Sequence, residues 1–219
     1  MTRSPSNDKL FVEGPDDGAV VNAIVERRFA IDIGPKRLVS AGAAGKRCFD
    51  SALDRFATAV ANVHPGSGVG LLVDRDGIDG KPDRWGQVRG ALERLKLKPP
   101  TDPPADGWIS EGATQGSRLG VWLMPDNLRY GDLEMFLEEM LPADRALWNY
   151  AQTCTGGVPN SAEKFLPKDL RKANIHAWTA WLNPPGGGYG LAIKRGDLLH
   201  TTPAADRFLK WFERLYLIP

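Results

Sequence analysis

Three acidic residues of this 219-residue chain stand directly after short apolar segments. Glu13 closes the segment "LFVEG", and Asp74 and Asp76 close the segment "GLLVDRDG". Carboxylates that lie close together repel each other, and a bound cation removes that repulsion. Ligand sets made only of oxygen select hard divalent ions such as Mg²⁺ or Mn²⁺. The pattern therefore indicates metal-dependent chemistry, provided that the fold brings these residues together.

The Asp-x-Asp pair has other interpretations. Both residues precede Gly77, so they could shape a turn or cap a helix without binding any ligand. The Asp-x-Asp pair of a glycosyltransferase is a further alternative, although nothing else in the sequence marks a sugar-nucleotide site. An EF-hand loop beginning at Asp74 is excluded, because its sixth and twelfth positions would be Asp79 and Trp85 instead of Gly and Glu.

Strand and helix patterns alternate through the first two thirds of the chain. Apolar strand segments at residues 9–14, 36–45, 68–74 and 118–127 are separated by segments with helical spacing of apolar residues. This alternation predicts an α/β fold with a mainly parallel central sheet and helices on both faces. Glu13, Asp74 and Asp126 would then lie at the carboxyl ends of three strands, where ligands gather near a topological switch point.

The last third of the sequence has mainly helical patterns. We expect an α/β core over residues 1–142 and a helical C-terminal extension over residues 143–219 that packs on this core. The glycine-rich stretch Gly186–Gly190 lacks the Lys-Ser/Thr of a phosphate-binding P-loop and is predicted to be a flexible loop.

Composition narrows the class of protein. The formal net charge is +1, so the chain as a whole is not a polycation. Cys48 and Cys154 are too few for a disulfide framework and fit a reducing compartment. No apolar run is long enough for a membrane span, and the first ten residues lack the apolar region of a signal peptide. We expect a cytoplasmic protein that makes no membrane contact.

Three segments together resemble the Toprim domain. They are "FVEGPDD", "LLVDRDG" and "GDLEMFL", in this order along the chain. The Toprim domain is shared by topoisomerases, bacterial primases, small ribosomal-RNA maturation nucleases and the overcoming-lysogenization-defect (OLD) nucleases. The sequence is most similar to small stand-alone Toprim-like proteins of uncharacterised function that are related to OLD-type nucleases. This resemblance continues through "VWLMPDN", "RKANIHAWTAWLNPPGGGYGLAI" and "FLKWFERL", and so covers nearly the whole chain.

The resemblance implies roles for particular residues. Six acids would bind metal: Glu13, Asp17, Asp74, Asp76, Asp132 and Glu134. Glu13 would also act as general base or acid, and Lys172 would be the catalytic lysine, with Lys194 as the second choice. For Asp17 and Asp132, simple stabilisation of a helix N-terminus remains an alternative.

The resemblance implies a nuclease that hydrolyses phosphodiester bonds of DNA or RNA with two Mg²⁺ or Mn²⁺ ions. Five basic residues are candidates for contacts with the nucleic-acid backbone: Arg171, Lys172, Lys194, Arg195 and Lys210. OLD-like systems also imply an ABC-type ATPase partner and a role in defence against phage or mobile DNA. The alternative is a Toprim-like module that binds nucleic acid or a nucleotide beside such a partner and does not cut. Phosphotransfer through an aspartate nucleophile is less consistent with the sequence, because Glu13 would then have no role.

Overall fold

The computed structural model describes residues 7–31, 38–40, 48–78, 80–111, 114–159 and 165–218. The first part of the chain alternates strands and helices: β1 (Lys9–Val12), α1 (Pro15–Phe29), β2 (Leu38–Ser40), α2 (Cys48–Ala61), β3 (Gly68–Asp74), α3 (Trp85–Arg94), β4 (Trp108–Glu111) and β5 (Arg118–Met124). Helices follow: α4 (Leu133–Glu139), α5 (Ala146–Gly156), a 3₁₀ turn (Pro167–Asp169), α6 (Leu170–Ala180), α7 (Tyr189–Arg195) and α8 (Pro203–Tyr216).

Within these segments the strands form one sheet in the order β2-β1-β3-β5-β4. In this order, the four neighbouring strands β2, β1, β3 and β5 are parallel. Phe11 lies opposite Leu71, and Leu71 lies opposite Val121. The predicted α/β fold with a mainly parallel sheet is therefore confirmed. The antiparallel edge strand β4, which pairs Trp108 with Val121, was not predicted, because its four residues follow a Pro- and Gly-rich loop and are partly exposed.

Helices cover both faces of the sheet, as the sequence predicts. Alternate strand residues enter two hydrophobic clusters: Val12 and Trp122 pack on the face with α1 and α4 to α8, whereas Phe11 and Val121 pack on the face with α2 and α3. Strands buried on both faces consist almost entirely of apolar residues. This explains the continuous apolar run of β3. Only its last residue, Asp74, is charged and partly exposed.

The C-terminal helix α8 lies against β3 and β5. Thr202 caps its N-terminus by accepting a hydrogen bond from the Ala205 amide at 3.4 Å. Trp211 and Phe212 are fully buried in the same cluster as residues of β1, β3 and β5. The helices after residue 142 thus share one hydrophobic core with the sheet, although the division of the chain at that residue stays a prediction.

No helix in the described segments combines the length and the apolar character that crossing a membrane requires.

The prediction of a loop through Gly186–Gly190 is wrong at its C-terminal end. α7 begins at Tyr189, and its second residue lies against α1, where a Cβ added to Gly190 would be 2.8 Å from the Ala19 carbonyl oxygen. Glycine is needed there because the two helices approach each other closely.

Glycines in β3 and β5 allow α8 to approach the sheet. A Cβ added to Gly70 would lie 2.8 Å from the Leu10 Cδ1 atom and from the Tyr216 hydroxyl, and 2.9 Å from Leu215. The Tyr216 hydroxyl also donates a hydrogen bond to the Lys9 carbonyl at 2.8 Å. The absence of a side chain at Gly70 therefore sets the distance between helix and strand.

We expect Gly70→Ala to lower the free energy of unfolding by about 1–3 kcal/mol, because the extra methyl group overpacks this contact. Urea unfolding measures the change. The control is Gly86→Ala in α3, where an added Cβ meets nothing within 4 Å and where alanine favours the helix. Equal stability of the two variants would contradict the close packing of α8.

Candidate functional site

The candidate site lies where the strand order changes direction. β1 has β2 on one side and β3 on the other, so a crevice opens at the carboxyl ends of β1 and β3. Glu13 directly follows β1, and Asp74 is the last residue of β3. The Asp74 amide donates a hydrogen bond to Glu13 Oε1 at 2.9 Å. The two acids that follow apolar segments in the sequence are therefore neighbours in the structure.

Two helix N-termini add acidic residues to this crevice. In α1, Asp17 accepts a hydrogen bond from the amide of the N-cap residue Gly14 at 2.9 Å, which is one half of a capping box, since glycine has no side chain to form the other half. In α4, the Leu133 amide donates to Asp74 Oδ1 at 2.8 Å and places Glu134 in the first turn. Both Asp17 and Glu134 are buried.

These residues line a cavity of about 190 Å³. Its charged lining residues comprise five acids and one lysine: Glu13, Asp16, Asp17, Asp74, Glu134 and Lys172. We call this space the acidic cavity. Crowding of carboxylates in a partly enclosed space disfavours their charged form.

Burial is the main cause of the raised pKa values in the acidic cavity. It raises the pKa of Glu13 to about 7, with a further increase from the negative charge of Asp17, against the hydrogen bond from the Asp74 amide, which lowers it. Burial likewise raises the pKa of Asp17 to about 6 and holds the pKa of Asp74 well above its usual range. Burial and mutual repulsion together disfavour the charged carboxylates more than the surrounding hydrogen bonds favour them, and a bound cation would offset both effects.

Helix α6 supplies two cations to α4. Lys172 Nζ lies 3.2 Å from Glu134 Oε1 and lines the acidic cavity. Arg171 donates a hydrogen bond to Asp132 Oδ2 at 2.8 Å, while Asp132 Oδ1 caps α4 by accepting from the Met135 amide at 3.1 Å. Asp132 therefore has the helix-capping role that the sequence left open, and it is also neutralised by Arg171.

Asp76 has a different environment from Asp74. Its backbone has a φ of 56°, in the left-handed region, and exchanges two hydrogen bonds with Gly131. The Asp76 carboxylate contacts Lys81 Nζ at 2.9 Å and Arg84 Nε at 3.1 Å. Asp76 is thus close enough to raise the pKa of Glu13 but is already paired with two cations.

Asp126, at the end of β5, shapes a turn. It accepts hydrogen bonds from the Leu128 amide at 3.1 Å, from the Arg129 amide at 2.8 Å and from Arg129 Nε at 2.7 Å. Although burial acts to raise its pKa, these bonds hold the pKa of Asp126 below its usual value. Position after a strand therefore does not by itself place an acid in the acidic cavity.

The structure does not bring the other predicted basic residues to the acidic cavity. Each forms an ion pair elsewhere on the surface: Lys194 with Glu26, Arg195 with Asp197, and Lys210 with Asp206. Glu26 lies nine residues beyond Asp17 on α1, which is about 13 Å along the helix axis at 1.5 Å per residue. Of the two lysines considered from the sequence, Lys172 is the one at the cavity.

Across residues 7–31, 38–40, 48–78, 80–111, 114–159 and 165–218, no three His, Cys, Asp or Glu side chains are arranged to hold a metal ion as they stand. Backbone amides and Lys172 engage one oxygen of each of the four buried carboxylates. The donor set nevertheless suits a hard divalent ion, because it consists of carboxylates alone and carries excess negative charge. The residues that fit are Glu13, Asp17, Asp74 and Glu134.

Sequence analysis missed the cations around Asp76. Arg75, Lys81 and Arg84 belong to the same segment as Asp76, "DRDGIDGKPDR", in which acidic and basic residues alternate except at Asp76 and Asp79. Arg84 also lies over the Phe49 ring, with its guanidinium carbon 4.3 Å from the ring centroid. The alternation of charge was a signal for local ion pairs, but it does not show which acids remain unpaired.

A larger cavity of about 440 Å³ lies at the amino-terminal ends of β1 and β3. Its lining includes Phe11, Val63 and Val69 together with neutral and basic residues, and no carboxylate is among the described residues that form it. Converging ionisable groups are more typical of a catalytic site than volume is. The acidic cavity is therefore the candidate functional site.

We expect the metal-free protein to lose stability as the pH rises from about 4 to about 7. The folded state keeps protons on Glu13 and Asp17 up to pKa values of about 7 and about 6, whereas their ordinary values are 4.5 and 3.8. Between these limits the folded state binds more protons than the unfolded state, so the free energy of unfolding falls as pH rises. Urea unfolding in EDTA at about pH 5 and about pH 8 measures this difference.

Glu13→Gln should reduce the difference in the free energy of unfolding between these two pH values, because glutamine does not titrate. The matched control is Glu93→Gln, which removes an exposed carboxylate of α3 and should leave the difference unchanged. A stability that rises with pH over this range in the wild type would contradict the burial of Glu13.

Comparison with known proteins places the chain in a family without assigning it an activity. The matching family model is described as "Protein of unknown function (DUF3226)" and spans residues 7–217. No curated protein and no solved structure matches the sequence. Because the match covers almost every residue, including all those of the acidic cavity, the chain belongs to the DUF3226 family.

Proposed function

We propose that this protein is a metal-dependent phosphodiester hydrolase of the Toprim type that acts on nucleic acid. The observation that carries the proposal is the contact between Glu13 and Asp74 at the switch point of a parallel sheet. Asp17, Glu134 and Lys172 surround this contact in one cavity. The resemblance to Toprim domains rests on a glutamate after the first strand, here Glu13, and an Asp-x-Asp pair after the third, here Asp74 and Asp76.

Four carboxylates would hold the ions. Asp74 is the central one: burial raises its pKa, and the negative charges of Glu13, Asp17 and Glu134 raise it further. Bound Mg²⁺ or Mn²⁺ ions would supply Lewis acidity and a more acidic water for attack on phosphorus. Asp76 and Asp132 are assigned a supporting role, since both are already paired with cations.

Glu13 is the candidate proton acceptor. Its Oε1 atom is fixed by the Asp74 amide, so the side chain is held in one orientation with the carboxylate at the cavity. A general base must be positioned within hydrogen-bond reach of the proton that it accepts. The backbone amide of the neighbouring strand provides that positioning.

Lys172 is the candidate for stabilising negative charge on the phosphate. Burial acts to lower the pKa of Lys172, but the carboxylate of Glu134 raises it above its ordinary value, so the ammonium stays charged. A fixed cation at the edge of the cavity stabilises charge that develops in the transition state. Glu134 therefore positions Lys172 as well as contributing to the ligand set.

We expect Asp74→Asn to abolish cleavage and to raise the melting temperature of the metal-free protein. The asparagine carbonyl can still accept from the Leu133 amide, while the buried negative charge is gone. Wild-type protein should gain roughly 3 kcal/mol of stability when Mn²⁺ is present at about 100 times its dissociation constant, and the variant should gain far less. Thermal unfolding with Mn²⁺ and with EDTA, together with cleavage of plasmid and single-stranded substrates, measures these effects.

The matched control is Asp126→Asn, which changes another acid at the end of a strand. This variant should lose stability, because Asp126 is a hydrogen-bonded turn residue, and should keep the stabilisation by Mn²⁺ and the cleavage. Full cleavage by Asp74→Asn would refute the assigned chemistry. Retention of nucleic acid without cleavage by the wild type, with any divalent ion, would instead favour the non-cleaving binding module.

Lys172→Ala should lower the rate of cleavage by about 100-fold, in line with the loss of one charge-stabilising donor. The control is Lys194→Ala, since Lys194 forms an exposed ion pair with Glu26 away from the cavity. Single-turnover rates at saturating Mg²⁺ separate the two lysines. Equal rates for both variants would show that neither lysine acts in catalysis.

A further inference from the structure

An exposed tyrosine, Tyr130, lies on the loop that joins β5 to α4, three residues before Leu133, which lines the acidic cavity. The neighbouring residue, Gly131, exchanges two backbone hydrogen bonds with Asp76, at 2.8 and 3.0 Å. Three residues after Tyr130, the Leu133 amide binds Asp74 Oδ1. The loop that carries Tyr130 is therefore hydrogen-bonded to both Asp74 and Asp76. These bonds fix the position of Tyr130 relative to the cavity.

The Tyr130 ring packs against two residues and is otherwise partly exposed. The guanidinium carbon of Arg75 lies 4.5 Å from the ring centroid. A Cβ added to Gly77 would be 2.2 Å from the ring, and Gly77 has a φ of +79°, so only glycine suits this position. Despite these two contacts, 46% of Tyr130 is exposed. A large aromatic ring that its neighbours hold in place and that remains exposed to solvent is suited to stacking.

Arg75 is fixed in place as the support of the ring. It donates to the Asn127 carbonyl at 2.9 Å and to the Leu128 carbonyl, both on the same loop as Tyr130. Its other guanidinium nitrogens each lie 3.3 Å from an Asp83 carboxylate oxygen. Because these bonds use its donors, Arg75 holds the loop and the ring, and little ordering is required when a ligand stacks on Tyr130.

Basic side chains belong to the two segments that meet at Tyr130, and each is paired with an acid: Arg75 with Asp83, Lys81 and Arg84 with Asp76, and Arg129 with Asp126 and Glu139. The side chains of Lys81 and Arg129 are nevertheless 43% and 48% exposed. A polynucleotide presents both a negative backbone and aromatic bases, so it can contact these exposed basic groups and the exposed ring together.

We infer that Tyr130 is a stacking platform for an unpaired nucleobase, and that the substrate is single-stranded nucleic acid or an unpaired end. This inference rests on the proposed function, because it places the base next to the cavity where the phosphodiester would be cleaved. In a duplex both faces of an internal base are covered by its neighbours, and only an unpaired base can lie flat on the ring. The platform would hold a nucleotide adjacent to the scissile phosphate.

The test is binding of oligonucleotides that carry a fluorescent adenine analogue, 2-aminopurine, in single-stranded and blunt duplex form and in DNA and RNA. Ca²⁺ replaces Mg²⁺ or Mn²⁺, so that affinity is measured separately from turnover. Tyr130→Ala should weaken single-strand binding by about tenfold and change duplex binding by less than about twofold. The wild type should quench the 2-aminopurine fluorescence on binding, and the variant should quench it less.

Two control variants separate stacking from a general loss of structure. Tyr130→Phe keeps the ring and should bind within about twofold of the wild type. Tyr150→Ala removes another exposed tyrosine, which packs against Trp181 in a tilted arrangement with ring centroids 5.2 Å apart, and should leave binding unchanged. Thermal unfolding of each variant shows whether it is folded.

The possible results distinguish this inference from the proposed function. Equal single-strand affinity of Tyr130→Ala and wild type, or an equal loss for single strands and duplexes, would overturn the stacking platform and leave the hydrolase proposal standing. Loss of binding in Tyr130→Phe as severe as in Tyr130→Ala would also overturn it, because the ring would not be the recognised feature. A wild-type protein that binds no nucleic acid at all would overturn both proposals together.

Discussion

The site depends on the burial of like charges at the point where the sheet changes direction. Parallel strands β1 and β3 must lie side by side, and each ends in a carboxylate, so Glu13 and Asp74 cannot separate without disrupting the sheet. The apolar strands, covered by helices on both faces, fix the two backbones and hold the two acids partly buried at the cavity. The free energy gained by burying these apolar side chains is large enough to offset the unfavourable free energy of burying like charges at one site. The cavity is therefore a strained site that the rest of the fold maintains, as is common where a protein is shaped for function.

The protein neutralises some of its acids and leaves others without a full partner. Asp76 and Asp132 are paired with basic side chains, whereas Asp74 is bound by a backbone amide that offers only a partial positive charge. Amide donors orient a carboxylate but do not cancel its charge. Glu134 is an intermediate case, because it is buried at the cavity and is also paired with a basic side chain, that of Lys172. Asp76 and Asp132 thus hold the loops and helices that surround the cavity, whereas the charge of Asp74 is only partly compensated.

The sequence allowed the edge of the sheet to be predicted but not the direction of each side chain. Glu13 and Asp74 could be placed together because the carboxyl ends of parallel strands always share one edge. Asp76 could not, because its departure from the cavity depends on a left-handed backbone conformation and on pairing with Gly131, 55 positions later in the chain. Likewise, Asp126 looks like Asp74 in sequence and differs only through the turn that Arg129 completes. β4 and α7 were missed since their short segments are defined by packing against β5 and α1 more than by their own patterns.

The helices beyond residue 142 belong to the site as well as to the core. Helix α6 delivers Arg171 and Lys172 to α4, and α4 in turn is bonded to Asp74 through the Leu133 amide. A chain ending near residue 142 would keep every acid of the cavity but lose both of these cations, along with the face of α8 that covers β3 and β5. The balance of charge at the cavity is consequently set by long-range contacts between α6 and α4. Because the C-terminal helices place Lys172 beside Glu134, the charge of that acid depends on residues nearly 40 positions later in the chain.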